Sequence, residues 1–171
     1  NANNEQIRID FNNPVKELIF MAFNSKRGSD PYSANIPKYT EDSSNNWNLY
    51  GSYSFTNPLN LKYQYDFFES LKIFNEDGSF LVSERNPYYF RRVQPIQNHS
   101  RFPNNYIYNY SFSLNPEEYQ PSGVYNFTGS NMNLLFTGIP QQEDGSLELY
   151  LYGVNYNILN FSNGEANILT F

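Results

Sequence analysis

The chain has no cysteine among its 171 residues, which excludes disulfides, thiolate nucleophiles and cysteine-ligated zinc. Histidine is nearly as scarce. With His99 alone, no spacing supplies the nitrogen ligands of a typical zinc site, and a hydrolase triad would have a single candidate base and no nucleophile-elbow motif. His99 is therefore expected to be a surface or loop residue. Positive charge is in deficit, since 11 Lys and Arg stand against 17 Asp and Glu for a net charge of -6. An acidic balance repels a phosphate backbone, so direct binding to nucleic acid is not expected. No apolar run approaches the roughly 20 residues that carry a helix across a bilayer. Asn1 to Gln6 also lacks the charged and then apolar pattern of a leader, and this polar start without Met reads as that of a fragment or processed chain.

What the chain has in quantity is aromatic mass, with 16 Tyr and 15 Phe, and aromatics favour strands. Asn is the commonest residue and is spread along the whole length, which suits a fold with many turns. The length fits one domain with a sizeable core.

A pass along the chain finds strands and turns. Ile7 and Ile9 alternate with Arg8 and Asp10, then Asn12, Asn13 and Pro14 break the run, so a short half-buried strand and a turn are expected. Val15 to Phe23 is apolar on both parities and reads as a strand covered on both faces. The region 27–48 has the composition of a long loop, with Trp47 anchoring its end. Tyr50 to Phe55 and Leu59 to Tyr65 alternate again, the latter as a solvent-facing strand. Phe67 to Phe74 fits the helix and strand periods equally. Asp77-Gly78 and Asp144-Gly145 carry the chemistry of tight hairpin turns. Tyr106 to Leu114 alternates strictly, and Leu147 to Leu159 reads as a strand pair or one strand bent at Gly153. No long amphipathic helix is evident, so the expected class is all-β, an antiparallel sandwich or barrel.

Four segments narrow this further. They are "FNNPVKELIFMAF" at Phe11 to Phe23, "YYFRRVQPIQNHSRFP" at Tyr88 to Pro103, "YIYNYSFSLNPEEYQPSGVYNFT" at Tyr106 to Thr128 and "LYGVNYNILNFSNGEANILTF" at Leu151 to Phe171. In that order they resemble segments of the second jelly roll in the major capsid proteins of large nucleocytoplasmic DNA viruses. The third is the most specific. Two departures stand out: the ending "NFSNGEANILTF" replaces a run of small residues, and the stretch from Tyr65 to Arg92 is longer than the family's. The resemblance implies an eight-stranded jelly-roll β-sandwich over 1–171, the C-terminal half of a longer capsid protein. It further implies three copies per pseudo-hexagonal capsomer, capsomers tiling an icosahedral shell beside minor capsid proteins, assembly in the cytoplasm of the infected cell, and no cofactor or metal.

The motif residues also have local physical readings. Pro116 stops a strand, Pro121 fixes one backbone angle and Gly123 supplies a conformation other residues resist, so Pro116 to Phe127 reads as a fixed corner with Phe127 as a core candidate. Pro14 and the run Asn155, Tyr156 and Asn157 belong to the same structural set. Asn126 and Asn155 lie in apolar strands, where a buried amide must be hydrogen-bonded. The adjacent pairs Glu117 with Glu118 and Glu143 with Asp144 sit beside turn signals and read as solvated loops rather than an acid and base. Arg85, Arg91, Arg92 and Arg101, interleaved with Tyr88, Tyr89 and Phe90, suit carboxylate pairing or a subunit interface better than nucleic-acid stacking. Asn98, Asn109, Asn126 and Asn160 each begin a glycosylation sequon, a number expected by chance in so Asn-rich a chain. A carbohydrate-binding jelly-roll module is the alternative function, since exposed aromatics can stack on sugars. A cupin-like enzyme would need a His and Glu ligand cluster that one histidine does not provide.

Overall fold

A computed structural model describes residues 3–24, 66–103, 106–127, 131–139 and 147–169. The loop expected at 27–48, Trp47, the strands at 50–55 and 59–65 and the Asp144-Gly145 turn lie outside the described residues. In chain order the elements are β1 (Asn3–Ile9), β2 (Val15–Asn24), β3 (Ser70–Asn75), β4 (Phe80–Arg85), a wide π-type turn (Tyr89–Val93) running into α1 (Gln94–Asn98), β5 (Tyr108–Ser111), β6 (Met132–Ile139), β7 (Leu147–Asn155), β8 (Ile158–Ser162) and β9 (Glu165–Leu169).

Strand β2 organises the molecule. It lies between β5 and β7 in one antiparallel sheet, while β1, β6, β3 and β4 form a second in that order. Its even positions, Leu18, Phe20 and Ala22, are all but sealed from solvent and meet Leu71, Ile73, Leu134 and Phe136 of the second sheet in one core. At the centre the Phe20 ring stacks on Tyr108 at 5.3 Å and meets the rings of Phe90 at 5.9 Å and Phe136 at 6.0 Å. Glu17 on the other parity is also buried and Ile19 and Met21 are half-buried, so β2 is covered on both faces as its composition predicts. β1 likewise buries Ile9 and half-buries Ile7 while its charged neighbours stay outside.

The ambiguity at 67–74 resolves as loop, then strand. Leu71 and Ile73 point into the core at strand spacing, while Phe67 and Phe68 precede the strand and pack their rings 4.8 Å apart beneath it. The Asp77-Gly78 turn closes β3 on β4 as expected. Gly78 takes φ +83°, and Asp77 accepts bonds from the Ser79 N–H and hydroxyl, which hold its carboxyl below the ordinary range.

Three features go beyond or against the sequence pattern. First, the "YYFRRVQPIQN" stretch, for which no element was expected, is helical. Asn86 accepts the Tyr89 N–H, Pro95 suits the first turn of α1 because its missing donor would have no partner there, and Phe90 drives the turn by burying completely beside Phe20. Second, the alternation from Tyr106 to Leu114 does not survive past Ser111. The N–H groups of Phe112 and Ser113 both donate to the Lys16 carbonyl, two residues opposing one, and this bulge inverts the parity so that Ser113 is buried and Leu114 is 75% exposed. Third, β7 runs straight through Gly153, and the chain instead turns after Asn155. A Cβ at Gly153 would press on the Phe11 ring at 3.0 Å, so this glycine makes room for an aromatic rather than bending a strand.

Candidate functional site

The segments that carry the family resemblance converge in space. Val15 of β2 exchanges backbone bonds with Tyr125, the Tyr156 N–H donates to the Pro14 carbonyl, and Lys16 reaches across to the Pro116 carbonyl at 2.7 Å. Lys16 also sits 5.2 Å from the centre of the Tyr156 ring. One strand therefore ties down the corner and the start of the C-terminal segment together.

The corner from Ser113 to Phe127 has no regular ladder and is held by side chains. The Ser113 and Ser122 hydroxyls share a bond of 2.6 Å, and the Ser122 oxygen accepts the Asn115 N–H at 2.8 Å. Gly123, at φ +154°, lies so close to the bulge that an added Cβ would collide with the Phe112 carbonyl oxygen. Phe127 ends the corner in the core, its ring meeting Phe11 at 5.3 Å and Tyr125 at 4.8 Å. Tyr119 at the tip is 97% exposed.

His99 lies in the loop that follows α1, within the surface-or-loop expectation, but it is largely covered. Its side chain retains 18% exposure and lies between two carboxylates, with Nε2 2.5 Å from Glu17 Oε1 and Nδ1 3.3 Å from Glu117 Oε1. Glu17 is buried and also accepts the Asn109 amide at 2.7 Å. Glu117 accepts the backbone N–H and the hydroxyl of Ser100 at 3.0 and 3.1 Å. The Ser100 N–H is the main reason the Glu117 carboxyl is held below its ordinary range, with the Ser100 hydroxyl and His99 adding to it against partial desolvation. Glu117 and Glu118 are both exposed, as expected of a solvated loop, and Glu117 is hydrogen-bonded as well. A general base must present a free nitrogen to a substrate, and here both imidazole nitrogens face carboxylates. The arrangement is a clasp joining β2, the end of α1, β5 and the corner. Among the described residues no group of three or more His, Cys, Asp or Glu is placed to hold a metal ion.

A second set of bonds anchors the helical segment. The buried amide of Gln94 accepts the Ser111 N–H at the end of β5 and donates to the Tyr89 hydroxyl. Arg91 pairs with Asp66 at 3.0 Å and lies 4.8 Å from the Tyr106 ring centre, and Asp66 also accepts the Tyr108 hydroxyl. Burial pushes the Tyr106 phenol up, and the Arg91 charge opposes this. Arg92 donates to the Pro103 carbonyl and covers Phe102, and Arg85 lies over Tyr89. Of the four arginines grouped by sequence, Arg91 is an internal strut, Arg92 is half-buried, and Arg85 and Arg101 are exposed. Sequence reasoning had no signal for Glu17 as the partner of His99, Asp66 as that of Arg91 or Gln94 as that of Ser111, since the paired residues stand 82, 25 and 17 positions apart.

Other expected residues fall differently. Asn126 and Asn155 are exposed, not buried amides, because the chain leaves the sheet on either side of Tyr125 and β7 ends at Asn155. Tyr156 buries its hydroxyl with no hydrogen-bond partner among the described residues, and the Asn157 side chain accepts the Ile158 N–H. Two of the four sequons are closed in the folded chain: Asn109 is buried on Glu17, and the Asn98 amide donates to the Gln94 carbonyl. Asn126 and Asn160 are exposed.

The profile of the family described as large eukaryotic DNA virus major capsid protein matches residues 1–167. The major capsid protein of Phaeocystis pouchetii virus is 40% identical over 95 residues, covering 54% of this chain and 18% of that protein. That of Pyramimonas orientalis virus is 28% identical over 187 residues, covering 95% of this chain and 38% of that protein. Among solved structures, PBCV-1 VP54, in a crystal structure fitted into a cryo-EM reconstruction of the virophage Sputnik, superposes with a TM-score of 0.67 at 25% identity. That match covers 98% of this chain and 46% of VP54. The Faustovirus major capsid protein shares the fold at a TM-score of 0.52 and 10% identity, over 91% of this chain and 33% of its own. The chain thus spans less than half the length of each of these relatives.

Proposed function

Since the chain belongs to the family of large eukaryotic DNA virus major capsid proteins, and its two facing sheets are the jelly roll of that family, we propose that it is the second roll of a double jelly-roll shell protein. Residues 1–171 form one domain, the C-terminal half of the whole protein. Three copies build a pseudo-hexagonal capsomer, and capsomers tile an icosahedral shell, contacting one another and minor capsid proteins. The protein resides in the virion and is assembled in the cytoplasm of the infected cell. Its role is structural, and Arg85, Arg101 and the tip of the corner at Tyr119 are offered to neighbouring subunits.

One observation carries this reading. The residues of the family-like segments are spent on one another: Glu17, His99, Asn109 and Glu117 close the clasp, while Pro14, Lys16, Pro116, Tyr125 and Tyr156 tie the corner to β2. Motif residues of an enzyme or lectin converge on a cavity where a substrate sits. Motif residues that bond mutually and hold a corner rigid serve shape, and shape is what a shell subunit supplies.

The test is the mass of the purified full-length protein by light scattering, followed by electron microscopy of native particles. A trimer and its threefold outline in the shell are expected. A protein that stays monomeric at micromolar concentration and binds defined glycans on an array would overturn the proposal in favour of a carbohydrate-binding module.

A further inference from the structure

On both sides His99 meets an oxygen that already accepts other donors. Glu17 Oε1, from β2, takes the Asn109 amide of β5 at 2.7 Å and faces His99 Nε2 at 2.5 Å. Glu117 Oε1, from the corner, takes the Ser100 N–H at 3.0 Å and the Ser100 hydroxyl at 3.1 Å, and faces His99 Nδ1 at 3.3 Å. An oxygen engaged in this way has no proton of its own to offer, so each contact needs the proton on the ring nitrogen. A neutral imidazole carries one N–H and the imidazolium two. Both halves of the clasp therefore close only around the charged ring.

No Lys or Arg competes for the two carboxylates at ion-pair distance among the described residues. Lys16, beside Glu17, is turned to the Pro116 carbonyl and the Tyr156 ring, and Arg101 and Glu118 are exposed. β5 contributes the neutral amide of Asn109, and α1 ends on Asn98, whose amide is turned to Gln94.

We infer that the clasp is a proton-operated lock on the corner, closed while His99 carries both ring protons and letting go of Glu117 when one of them leaves. The remaining N–H stays with Glu17, because a buried carboxylate that loses its donor is left uncompensated, whereas water can take up the exposed Glu117. His99 and both Ser100 donors share the one oxygen of Glu117, so a lone pair on Nδ1 opposite that oxygen drives it from Ser100 as well. Release is confined to the tip around Glu117, since Lys16 still holds the Pro116 carbonyl and Ser122 the Asn115 N–H. The stability that the lock adds is thus present while the ring is charged and lost as pH rises through its titration in the folded chain. Glu117 sets the acid limit. Held below its ordinary range, chiefly by the Ser100 N–H, it keeps accepting until pH falls through that lower value. The lock does not depend on the capsid function.

The test is hydrogen exchange of the full-length protein read by mass spectrometry between about pH 5 and 9, a range that spans histidine titration, with rates corrected for the intrinsic effect of pH. Peptides covering 99–101 and 115–119 should lose about tenfold of their protection towards the alkaline end, the fold-change of one hydrogen bond to a charged group, while those of β2 keep theirs. Glu117→Gln should flatten this dependence, because an amide can accept from the charged ring through its oxygen and donate to the neutral ring through its nitrogen. His99→Gln should flatten it too, and if that variant does not fold, Glu117→Gln decides alone. Protection constant with pH in the wild type, or falling equally in Glu117→Gln, would overturn the lock. So would a loss shared by β2, which would mark general unfolding instead of release of the tip.

Discussion

Replacing Gly123 with alanine separates two reasons for a glycine. Gly123 and Gly78 both take positive φ, +154° and +83°, so any side chain at either is strained by about 1–2 kcal/mol. Around Gly78 a new Cβ meets nothing within 4 Å, whereas at Gly123 it meets backbone, the Phe112 carbonyl oxygen first and Ser113 Cα at 3.2 Å. Backbone cannot swing aside as a flexible side chain can. The bulge would have to move, and with it the two bonds from Phe112 and Ser113 to the Lys16 carbonyl, each contributing about 1 kcal/mol. Gly78→Ala should therefore cost about 1 kcal/mol and Gly123→Ala about 3 kcal/mol. At roughly 2–4 °C per kcal/mol for a domain of this size, the midpoints by differential scanning calorimetry should fall by about 3 °C and 9 °C. Gly123→Val should be worse still. Equal shifts for the two alanine variants would refute the close approach and leave only the dihedral term.

Three further outcomes are expected. Phe20→Ala and Phe127→Ala should each cost about 3–5 kcal/mol in urea unfolding, with Phe20 at the upper end because more rings surround it; a cost near 1 kcal/mol would mean that the core repacks freely. His99→Ala leaves the Glu17 carboxylate buried with Asn109 as its remaining partner in the clasp, and should cost about 3 kcal/mol, while Glu118→Gln should be neutral within about 0.5 kcal/mol. Because Glu117 is held below its ordinary carboxyl range, chiefly by the Ser100 N–H, its contribution is fully present above the unfolded value of about 4.3 and is lost as pH falls through the lower folded value. The stability gap between the wild type and Glu117→Gln should accordingly close on acidification below pH 4, and a gap that widens there would contradict this.

Much of the fold was legible because it rests on short-range pattern. The parity of Leu18, Phe20 and Ala22, the Asp77-Gly78 turn and the Pro116 to Gly123 corner all express their physics within a few residues. The helical segment was not legible because Tyr88 to Val93 has a composition equally suited to a strand; only the burial of Phe90 against Phe20, 70 positions away, decides it. The clasp was invisible for the same reason. His99 and Glu17 are 82 positions apart, and no spacing rule joins them. The end of the Tyr106 strand depended on a bulge against Lys16, which strict alternation conceals.

The order of strands in the second sheet also governs when this chain can fold. β1 has β6 as its ladder partner, and Gln6 and Asn133, bonded across that pair, are 127 positions apart. On a ribosome moving at roughly 5–20 residues per second, β1 would wait on the order of 6–25 seconds for that partner to be made. β2 waits about as long for β7, whose last residue, Asn155, pairs with Val15. Such non-local closure makes folding slow after release as well. Throughout that interval the row of Phe and Tyr that fills the finished core is exposed in an unpaired chain. A chain of this topology is therefore at its most vulnerable to aggregation before its last strands appear, and should depend on holdase chaperones during synthesis more than a helical protein of equal length does.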